Sequence, residues 1–345
     1  MATSIGTAII GAGYWGTNLA RVFLNTDGIH LHVICDTQAE RLSALQTQYP
    51  SVNVTSSWKR ILNDPRTEAV VLATPPATHF PLARLALAAG KHVWVEKPLA
   101  LHYRDGCELV SLAHAAGRML FVDETFLYDP LLQQGQALLA SGQLGTIQHL
   151  AFARTSMGRI RRDSNVWWNA APHDLAILRY ILDVPVIRIA VHGYASVQPQ
   201  VEDVVTATLE MENGCSVHLY LNWLFPEKRA ALTMIGETGM LQYEGRFGQR
   251  FLARYKYQLG QISTKGRHDP VQANLIPIDS QALIETFTDE TSEPLAIACT
   301  AFRDSLLTGQ PSPSSGEHSL RTLAVLEAGA QSLARGGEWV EVHEG

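Results

Sequence analysis

The chain has 345 residues, of which 46% are hydrophobic and 17% are charged, so it can form two folded domains and is not a disordered protein. Lys and Arg total 27 and Asp and Glu total 33, and this mild acidity excludes a strongly basic surface for nucleic acid or anionic membrane. The start lacks a signal-peptide pattern and the four cysteines lack metal-ligand spacing, so we expect a cytoplasmic protein without disulfides or metal.

Short apolar runs alternate with helical patterns over the first third of the chain. This alternation predicts βαβ units and a parallel sheet, because each strand needs a crossover helix to reach its parallel neighbour. We therefore predict an α/β fold that begins with a doubly wound Rossmann domain over residues 1–123. The predicted strands are residues 7–10, 31–35, 70–73, 92–95 and 119–122, and the predicted helices are residues 15–25, 39–48, 81–89 and 101–116.

The pattern changes to longer alternating segments after residue 124. In residues 215–223 the odd positions are apolar and the even positions polar, as in a strand with one buried face. We predict an α+β domain over residues 124–345 with a large, mostly antiparallel open sheet. Such a sheet suits oligomerisation, although a helix packed on it would give the same pattern. The other predicted elements are strands at 201–211, 230–235 and 249–257 and helices at 131–141, 294–307 and 320–334.

A glycine-rich segment, Gly11-Ala-Gly-Tyr-Trp-Gly16, follows the first predicted strand and opens the first predicted helix. In a GxGxxG motif the first glycine permits the tight turn, the second lets pyrophosphate approach the backbone, and the third allows close helix packing. The phosphates would lie at the helix N-terminus. The motif in this context predicts a dinucleotide site.

Asp36 ends the second predicted strand, twenty residues beyond the glycine motif. A carboxylate here would bind the adenine-ribose hydroxyls and repel a 2′-phosphate, so we predict NAD rather than NADP. The alternative is a polar cap at a strand end.

The segment from Thr74 to His79 ends another strand at the same edge, where it would flank the nicotinamide half. The alternative is a proline turn with Thr78 capping the next helix. The predicted cofactor-binding residues are Gly11, Gly13, Tyr14, Trp15, Gly16, Asp36, Thr37, Thr74, Pro75, His79, Glu96, Lys97, Glu124 and Trp168.

Glu96-Lys97-Pro98 directly follows the strand at residues 92–95. Open α/β sheets bind their ligands at the carboxyl ends of strands, so Lys97 is placed beside the expected nicotinamide. Oxidising a carbinol requires removal of a hydride and a proton together. Lys97 is the candidate proton acceptor if burial and the nicotinium charge lower its pKa. The alternative is a solvated turn lysine.

A second group of candidates comes from residues 169–174, Asn-Ala-Ala-Pro-His-Asp. We predict a helix from residue 170 onward, with Pro172 and His173 in its first turn. There the positive end of the helix dipole would favour a neutral imidazole that can orient a hydroxyl or share its proton. The alternative is a structural histidine, with Asn169 as helix N-cap.

The glycine motif, Glu96-Lys97-Pro98 and residues 169–174 together resemble the Gfo/Idh/MocA oxidoreductases. The resemblance covers the whole chain. It implies an N-terminal Rossmann domain and a C-terminal open sheet through which dimers or tetramers form. It also implies that Lys97 and His173 act at the substrate carbinol, with Asn169 beside them, and that the bond between Lys97 and Pro98 is cis.

Finer features resemble the UDP-N-acetylglucosamine 3-dehydrogenase branch, whose members oxidise the 3″-hydroxyl of a UDP-amino sugar. They include Gly-Tyr-Trp-Gly at 13–16, Thr-Phe-Leu-Tyr at 125–128 and residues 158–168. Arginines at 159, 161 and 162 would then meet the pyrophosphate, or else form a solvated basic loop. The predicted substrate-binding residues are Lys97, Tyr128, Arg159, Arg161, Asn165, Asn169 and His173.

Two positions depart from the family pattern. Asn169 stands where many members carry Asp, and an amide cannot take a proton, so the base role falls to Lys97 and His173. Asp123-Glu124 stands in a segment that is Val-Gly-His-Thr-Phe in this branch, so Glu124 would contact cofactor or substrate differently. Two other functions remain open: a dehydrogenase of a free cyclic polyol or aldose, and a non-catalytic NAD-sensing regulator.

Overall fold

A computed structural model describes residues 4–157, 160, 164–246, 249–259 and 278–344 of the chain. The strands are β1 (Ile5–Ile10), β2 (Ile29–Cys35), β3 (Asn53–Thr55), β4 (Ala69–Leu72), β5 (His92–Glu96), β6 (Leu120–Asp123), β7 (Ile147–Thr155), β8 (Val186–Tyr194), β9 (Val204–Met211), β10 (Ser216–Asn222), β11 (Arg229–Gly236), β12 (Gly239–Arg246), β13 (Gln249–Leu259), β14 (Ile278–Thr288) and β15 (Val340–Glu341). The helices are α1 (Tyr14–Leu24), α2 (Ala39–Gln48), α3 (Trp58–Asn63), α4 (His79–Ala88), α5 (Tyr103–Ala116), α6 (Pro130–Ala140), α7 (Val166–Ile181), α8 (Pro294–Thr308) and α9 (Gly316–Ala334).

The first sheet has six parallel strands in the order β3-β2-β1-β4-β5-β6. This is the predicted Rossmann sheet, and each predicted strand and helix of this region is present to within a few residues. The sequence pattern missed β3 and α3, which are three and six residues long. Because all six strands run the same way, their carboxyl ends meet at one edge, where Gly11, Asp36, Thr74, Lys97 and Glu124 follow five of them.

The second sheet has, within the described residues, nine strands in the order β14-β13-β12-β11-β7-β10-β9-β8-β15. The pair β7–β10 is parallel, and the other strand pairs of this sheet in the described residues are antiparallel. In β10 the odd positions Val217, Leu219 and Leu221 are buried, as the alternation predicted. Helix α7 packs on β10 and α9 on β8, so helices cover one face of the sheet.

The last two helices return to the first sheet. Phe302 of α8 packs edge-on against Trp94 of β5 and Phe121 of β6, with ring centroids 5.3 Å apart in both pairs. All three side chains are fully buried, and Phe23 of α1 completes the cluster at 5.4 Å from Trp94. One hydrophobic cluster extends from the first sheet into the second, and a separate cluster lies within the first domain. The predicted domain division at residue 124 stays a prediction. Within the described residues, no helix is long and apolar enough to cross a membrane.

Two helices begin earlier than predicted. Helix α7 starts at Val166, capped by Asn165, whose Oδ1 accepts a 3.1 Å hydrogen bond from the Trp168 main-chain NH. Pro172 therefore lies inside the helix and Asn169 is not its cap, so the predicted start at residue 170 is wrong. Helix α9 starts at residue 316 rather than 320, because the Ser315 side chain caps it inside the turn-rich segment.

Candidate active site

The glycine motif forms the turn between β1 and α1. Gly11 has a φ of +103°, and a Cβ placed on it would lie 2.3 Å from the Ala73 carbonyl oxygen. A Cβ on Gly16 would lie 1.9 Å from the Gly11 oxygen. A Cβ on Gly13 would meet nothing closer than an Arg41 nitrogen at 3.9 Å, so this backbone borders open space. The loop thus fits a pyrophosphate at the start of α1.

Asp36 lies beside this turn and is 8% exposed. Its Oδ2 accepts a 2.7 Å hydrogen bond from the Ala12 NH, and its Oδ1 accepts a 2.8 Å bond from the Gln38 NH. The Arg41 guanidinium lies 3.5 Å away. The carboxylate is therefore fixed at the edge of the dinucleotide loop, where it fits the ribose hydroxyls.

The other predicted residues at this loop are open to a ligand. Tyr14 and Trp15, in the first turn of α1, are 65% and 45% exposed. Thr37 and Pro75 are exposed, and Thr74 is half-buried. These residues therefore form an accessible surface at this end of the sheet, whereas one predicted residue of the loop after β4 does not reach it.

That residue is His79, which is fully buried. Its Nδ1 lies 2.8 Å from the Pro98 carbonyl oxygen and its Nε2 lies 2.9 Å from that of Thr74. Burial lowers the pKa of this imidazole. The ring ties the loop after β4 to the loop after β5, which favours a positioning role over direct cofactor contact. The proline turn of the alternative is present and Thr78 is the N-cap residue of α4, but its side chain bonds back to Thr74 Oγ1 and does not cap the helix.

Lys97 follows β5, and its peptide bond to Pro98 is cis, as predicted. Its Nζ donates a 2.7 Å hydrogen bond to the main-chain oxygen of Asn169 in α7. The sequence analysis named Asn169 as a candidate for its side chain, whereas its contact with Lys97 is made by the backbone. The lysine is thereby held between the two parts of the molecule at the carboxyl edge of the first sheet.

Glu96 and Asp123 are register partners at the ends of β5 and β6, and both are buried. Burial raises the pKa of each carboxyl, and the Asp123 charge raises that of Glu96 further. Asp123 Oδ1 also accepts a 2.6 Å hydrogen bond from Thr125 Oγ1. Glu96 is thus buried at the sheet edge beside Asp123 and directly before Lys97 in the chain, and its predicted contact with the cofactor stays a prediction.

His173 lies in the interior of α7, where its ring packs edge-on against Phe126 with centroids 4.9 Å apart. In the described part of the chain its ring nitrogens have no hydrogen-bond partner, so both can meet a ligand. Burial, followed by the charges of Lys97, Arg154 and Lys228, holds its pKa well below the ordinary value. The imidazole is neutral, as predicted, but the helix dipole is not the cause, because His173 is not in the first turn.

Lys97 and His173 line the same narrow cavity between the two sheets. The lining combines two predicted catalytic residues with the predicted cofactor residue Glu124. The full lining is Lys97, Glu124, Phe126, Leu127, Pro172, His173 and Ala176.

Sequence reasoning missed Arg154 of β7. Its guanidinium lies 4.4 Å above the Phe126 ring and donates hydrogen bonds of 2.9 and 2.6 Å to Asp174 Oδ1. Burial raises the pKa of Asp174 and Arg154 opposes this. One signal was present: Arg154 continues the row of Leu150 and Phe152, the buried positions of β7, and an arginine on a buried strand face needs a partner.

Several predicted substrate residues are occupied by protein contacts. The Tyr128 hydroxyl is 2.6 Å from Ser312 Oγ, and burial raises the pKa of this tyrosine to about 12. The Asn165 amide caps α7 and donates a 2.7 Å hydrogen bond to Glu202. Trp168, which was predicted to bind the cofactor, is half-buried in the first turn of α7. The arginines at 159, 161 and 162 lie outside the described residues, so their roles stay predictions.

Comparison with known proteins identifies the class. Residues 5–124 match the oxidoreductase family with NAD-binding Rossmann fold, and residues 132–242 match the GFO/IDH/MocA C-terminal domain. The fold and site thus define an NAD-dependent dehydrogenase acting on CH-OH groups. The chain belongs to the Gfo/Idh/MocA family. The presence of Lys97 and His173 on one cavity argues against a non-catalytic regulator on the same fold.

Individual relatives agree with this class. The uncharacterised oxidoreductase YdgJ of Escherichia coli is 35% identical over 53% of this chain and 56% of its own length. Inositol 2-dehydrogenase of Acidothermus cellulolyticus is 28% identical over 64% of this chain and 66% of its own. The WlbA dehydrogenase of Bordetella pertussis, solved with NADH and UDP-GlcNAcA, covers 99% of both chains at 22% identity with a TM-score of 0.79, and so shares the fold.

Proposed function

We propose that this enzyme oxidises a secondary hydroxyl of a sugar to a ketone, with C3 of a UDP-linked amino sugar as its substrate position. The observation that carries the proposal is the joint placement of Lys97 and His173 on one cavity, with Lys97 at the same sheet edge as the dinucleotide loop. A proton acceptor and a neutral hydrogen-bonding imidazole are what carbinol oxidation requires.

The roles follow from the contacts. When bound, NAD supplies the acceptor for the hydride that leaves the carbinol carbon. Lys97, as a neutral amine, takes the hydroxyl proton, and the Asn169 carbonyl fixes the position of its nitrogen. His173 orients the hydroxyl through a ring nitrogen that has no protein partner among the described residues. The Asn169 side chain positions the sugar without taking a proton.

The charge around His173 supports a phosphate-bearing substrate. Lys97, Arg154 and Lys228 lie near enough to lower its pKa. Lys228 follows Glu227, whose main-chain oxygen accepts a 3.0 Å hydrogen bond from Thr155 at the end of β7. Arg154 is paired with Asp174 and Lys97 acts as a neutral amine, so the exposed Lys228 is the cation that suits the pyrophosphate of a nucleotide sugar. WlbA, which shares the fold, was solved with such a compound.

A free cyclic polyol or aldose is the second candidate. The 28% identity to an inositol 2-dehydrogenase favours it, because the matched region covers about two thirds of each chain. Such a substrate would make no use of Lys228, which lies at an exposed position.

A substrate panel separates the two candidates. Wild-type enzyme with NAD is offered UDP-N-acetylglucosamine, its uronic acid, the free sugars and inositols, and nicotinamide absorbance is followed. We expect reduction with a UDP-sugar and none with the free sugar. A Lys228→Gln variant should raise KM for the UDP-sugar more than it lowers kcat. Equal rates with and without the nucleotide would favour the polyol.

We further propose a homodimer or homotetramer through the nine-stranded sheet. On β10 the buried positions face α7, while His218 and Tyr220 on the other face are exposed. Ile187 and Tyr194 of β8 are also exposed, at 42% and 66%. A large sheet face with exposed apolar side chains suits a subunit interface. Light scattering after size-exclusion chromatography gives the mass, and a monomer at micromolar concentration would contradict the proposal.

A further inference from the structure

Glu124 is the third ionisable residue on the cavity that Lys97 and His173 line. It follows β6 and is 5% exposed. The mechanism above gives it no part, although its carboxyl borders the space where the hydroxyl proton is released. A buried carboxyl in such a position calls for an explanation.

One oxygen of this carboxyl is anchored and the other is not. Oε1 accepts a 2.7 Å hydrogen bond from Ser319 Oγ of α9. Oε2 is fully buried and has no hydrogen-bond partner in the described residues. Its nearest ion-pair contact among those residues is His318 Nε2, at 3.8 Å. The anchored oxygen fixes the carboxyl, and the unpartnered one is available to bind a proton.

Charged and titratable groups face Glu124 from each packed element: Asp123 from β6, Lys97 from the loop after β5, His173 from α7 and His318 from α9. Burial raises the pKa of Glu124 to about 8, with the Ser319 hydrogen bond opposing, Asp123 adding to the rise and Lys97 opposing. The pKa of Glu124 therefore lies close to neutral pH, which favours general acid-base chemistry.

Two other neighbours of the Lys97 amine are poor proton acceptors. Its hydrogen-bond partner at Asn169 is a peptide oxygen. The pKa of His173 is held well below its ordinary value by burial and neighbouring cations, so this ring resists a proton. Within the cavity lining this leaves Glu124 as the acidic side chain that can receive one.

We propose that Glu124 accepts the proton from Lys97 after the carbinol has been oxidised, and so returns the lysine to its neutral form. This inference rests on the proposed function. The substrate O–H bond breaks as an N–H bond forms at Lys97 Nζ. That N–H bond then breaks as an O–H bond forms at Glu124 Oε2. The proton is lost to solvent before the next turnover.

The direct test is Glu124→Gln, which keeps the shape of the side chain and an oxygen for Ser319. We expect kcat to fall about 10²-fold, and the rise of kcat with pH, centred near pH 8 in the wild type, to disappear. NAD affinity, measured by tryptophan fluorescence, should be unchanged, which separates proton transfer from cofactor binding. Unchanged kcat with an unchanged pH profile would overturn the inference.

Ser319→Ala is the matched variant. It keeps the carboxyl but removes the hydrogen bond that lowers the pKa of Glu124. The rise of kcat should therefore move to higher pH. A profile that stays in place would contradict the role of Glu124, since a merely structural serine would alter stability without moving the profile.

A second measurement needs no substrate. Glu124 titrates near 8 in the folded chain against an ordinary value of 4.5, so folded protein binds more protons in this window and stability falls as pH rises through it. Glu124→Gln should become progressively more stable than wild type from pH 5 to about 8. A flat difference would overturn the inference. If the wild type oxidises no compound on the panel yet shows this pH dependence of stability, the proposed substrate is refuted. The assigned protonation of Glu124 is not.

Discussion

Lys97 Nζ lies 2.7 Å from the main-chain oxygen of Asn169, a residue 72 positions later in the chain. This bond links the loop after the fifth Rossmann strand to the helix that carries His173. Since the acceptor is a backbone atom, a side-chain change at position 169 leaves the contact in place. The arrangement of lysine and histidine therefore depends on how α7, which packs on α9 and on β10 of the second sheet, is placed against the loop after β5.

His173→Gln should lower kcat about 10²-fold or more, because the amide can hydrogen-bond a hydroxyl but lacks the geometry of the ring. The folded state should survive, since the ring nitrogens have no hydrogen-bond partner among the described residues. Steady-state kinetics and NAD titration check this. A matched change at the solvent-exposed His114 should leave both parameters alone.

Acid stability gives a second test of His173. Burial holds its pKa below the ordinary 6.5, so below that pH the unfolded chain binds more protons and the free energy of unfolding falls. His173→Gln should make this fall shallower between pH 7 and about 5, as measured by urea denaturation. A fall as steep as that of the wild type would show that the imidazole is charged in the folded protein.

Two substitutions in the glycine motif distinguish an effect on NAD binding from an effect on folding stability. Gly13→Ala places a methyl group in open space, so stability should be unchanged while NAD affinity falls about tenfold, or about 1.4 kcal/mol. Gly16→Ala drives a methyl group against the Gly11 oxygen and should destabilise the fold by about 1–3 kcal/mol. Thermal unfolding and fluorescence titration distinguish the two. Loss of stability in both variants would contradict the assigned pyrophosphate position.

Asp36→Asn should weaken NAD binding about 10- to 100-fold, because a charged acceptor for the ribose hydroxyls is lost. NADP should gain in relative terms, since the repulsion of its 2′-phosphate disappears and Arg41 lies 3.5 Å from this position. Parallel titrations with both cofactors measure the ratio. An unchanged ratio of NAD affinity to NADP affinity would show that Asp36 only holds the turn through its hydrogen bond with the Ala12 NH and does not contact the ribose.

The Rossmann half could be predicted from the sequence because its signals are local. A strand, a glycine turn, a helix start and Asp36 lie within one short stretch, and each constrains the backbone by itself. The cis bond at Pro98 and the buried alternation of β10 followed from family resemblance and from the period of two. These features do not depend on distant parts of the chain.

The remaining features depend on tertiary packing. Asn165 and Asn169 are both good cap residues. In the structure Asn165 caps α7, and it also donates a hydrogen bond to Glu202. Arg154 reaches the site because β7 pairs in parallel with β10, which no local pattern shows. Glu124 meets Ser319 across 195 residues because α9 returns to the first sheet.

The most direct test of the central claim is Lys97→Ala assayed by rapid mixing with NAD and a UDP-sugar that the wild type oxidises. The account predicts that NAD still binds and that NADH formation falls by about 10²- to 10⁴-fold, with partial recovery as pH rises and hydroxide replaces the missing base. Normal NADH formation in Lys97→Ala would contradict it.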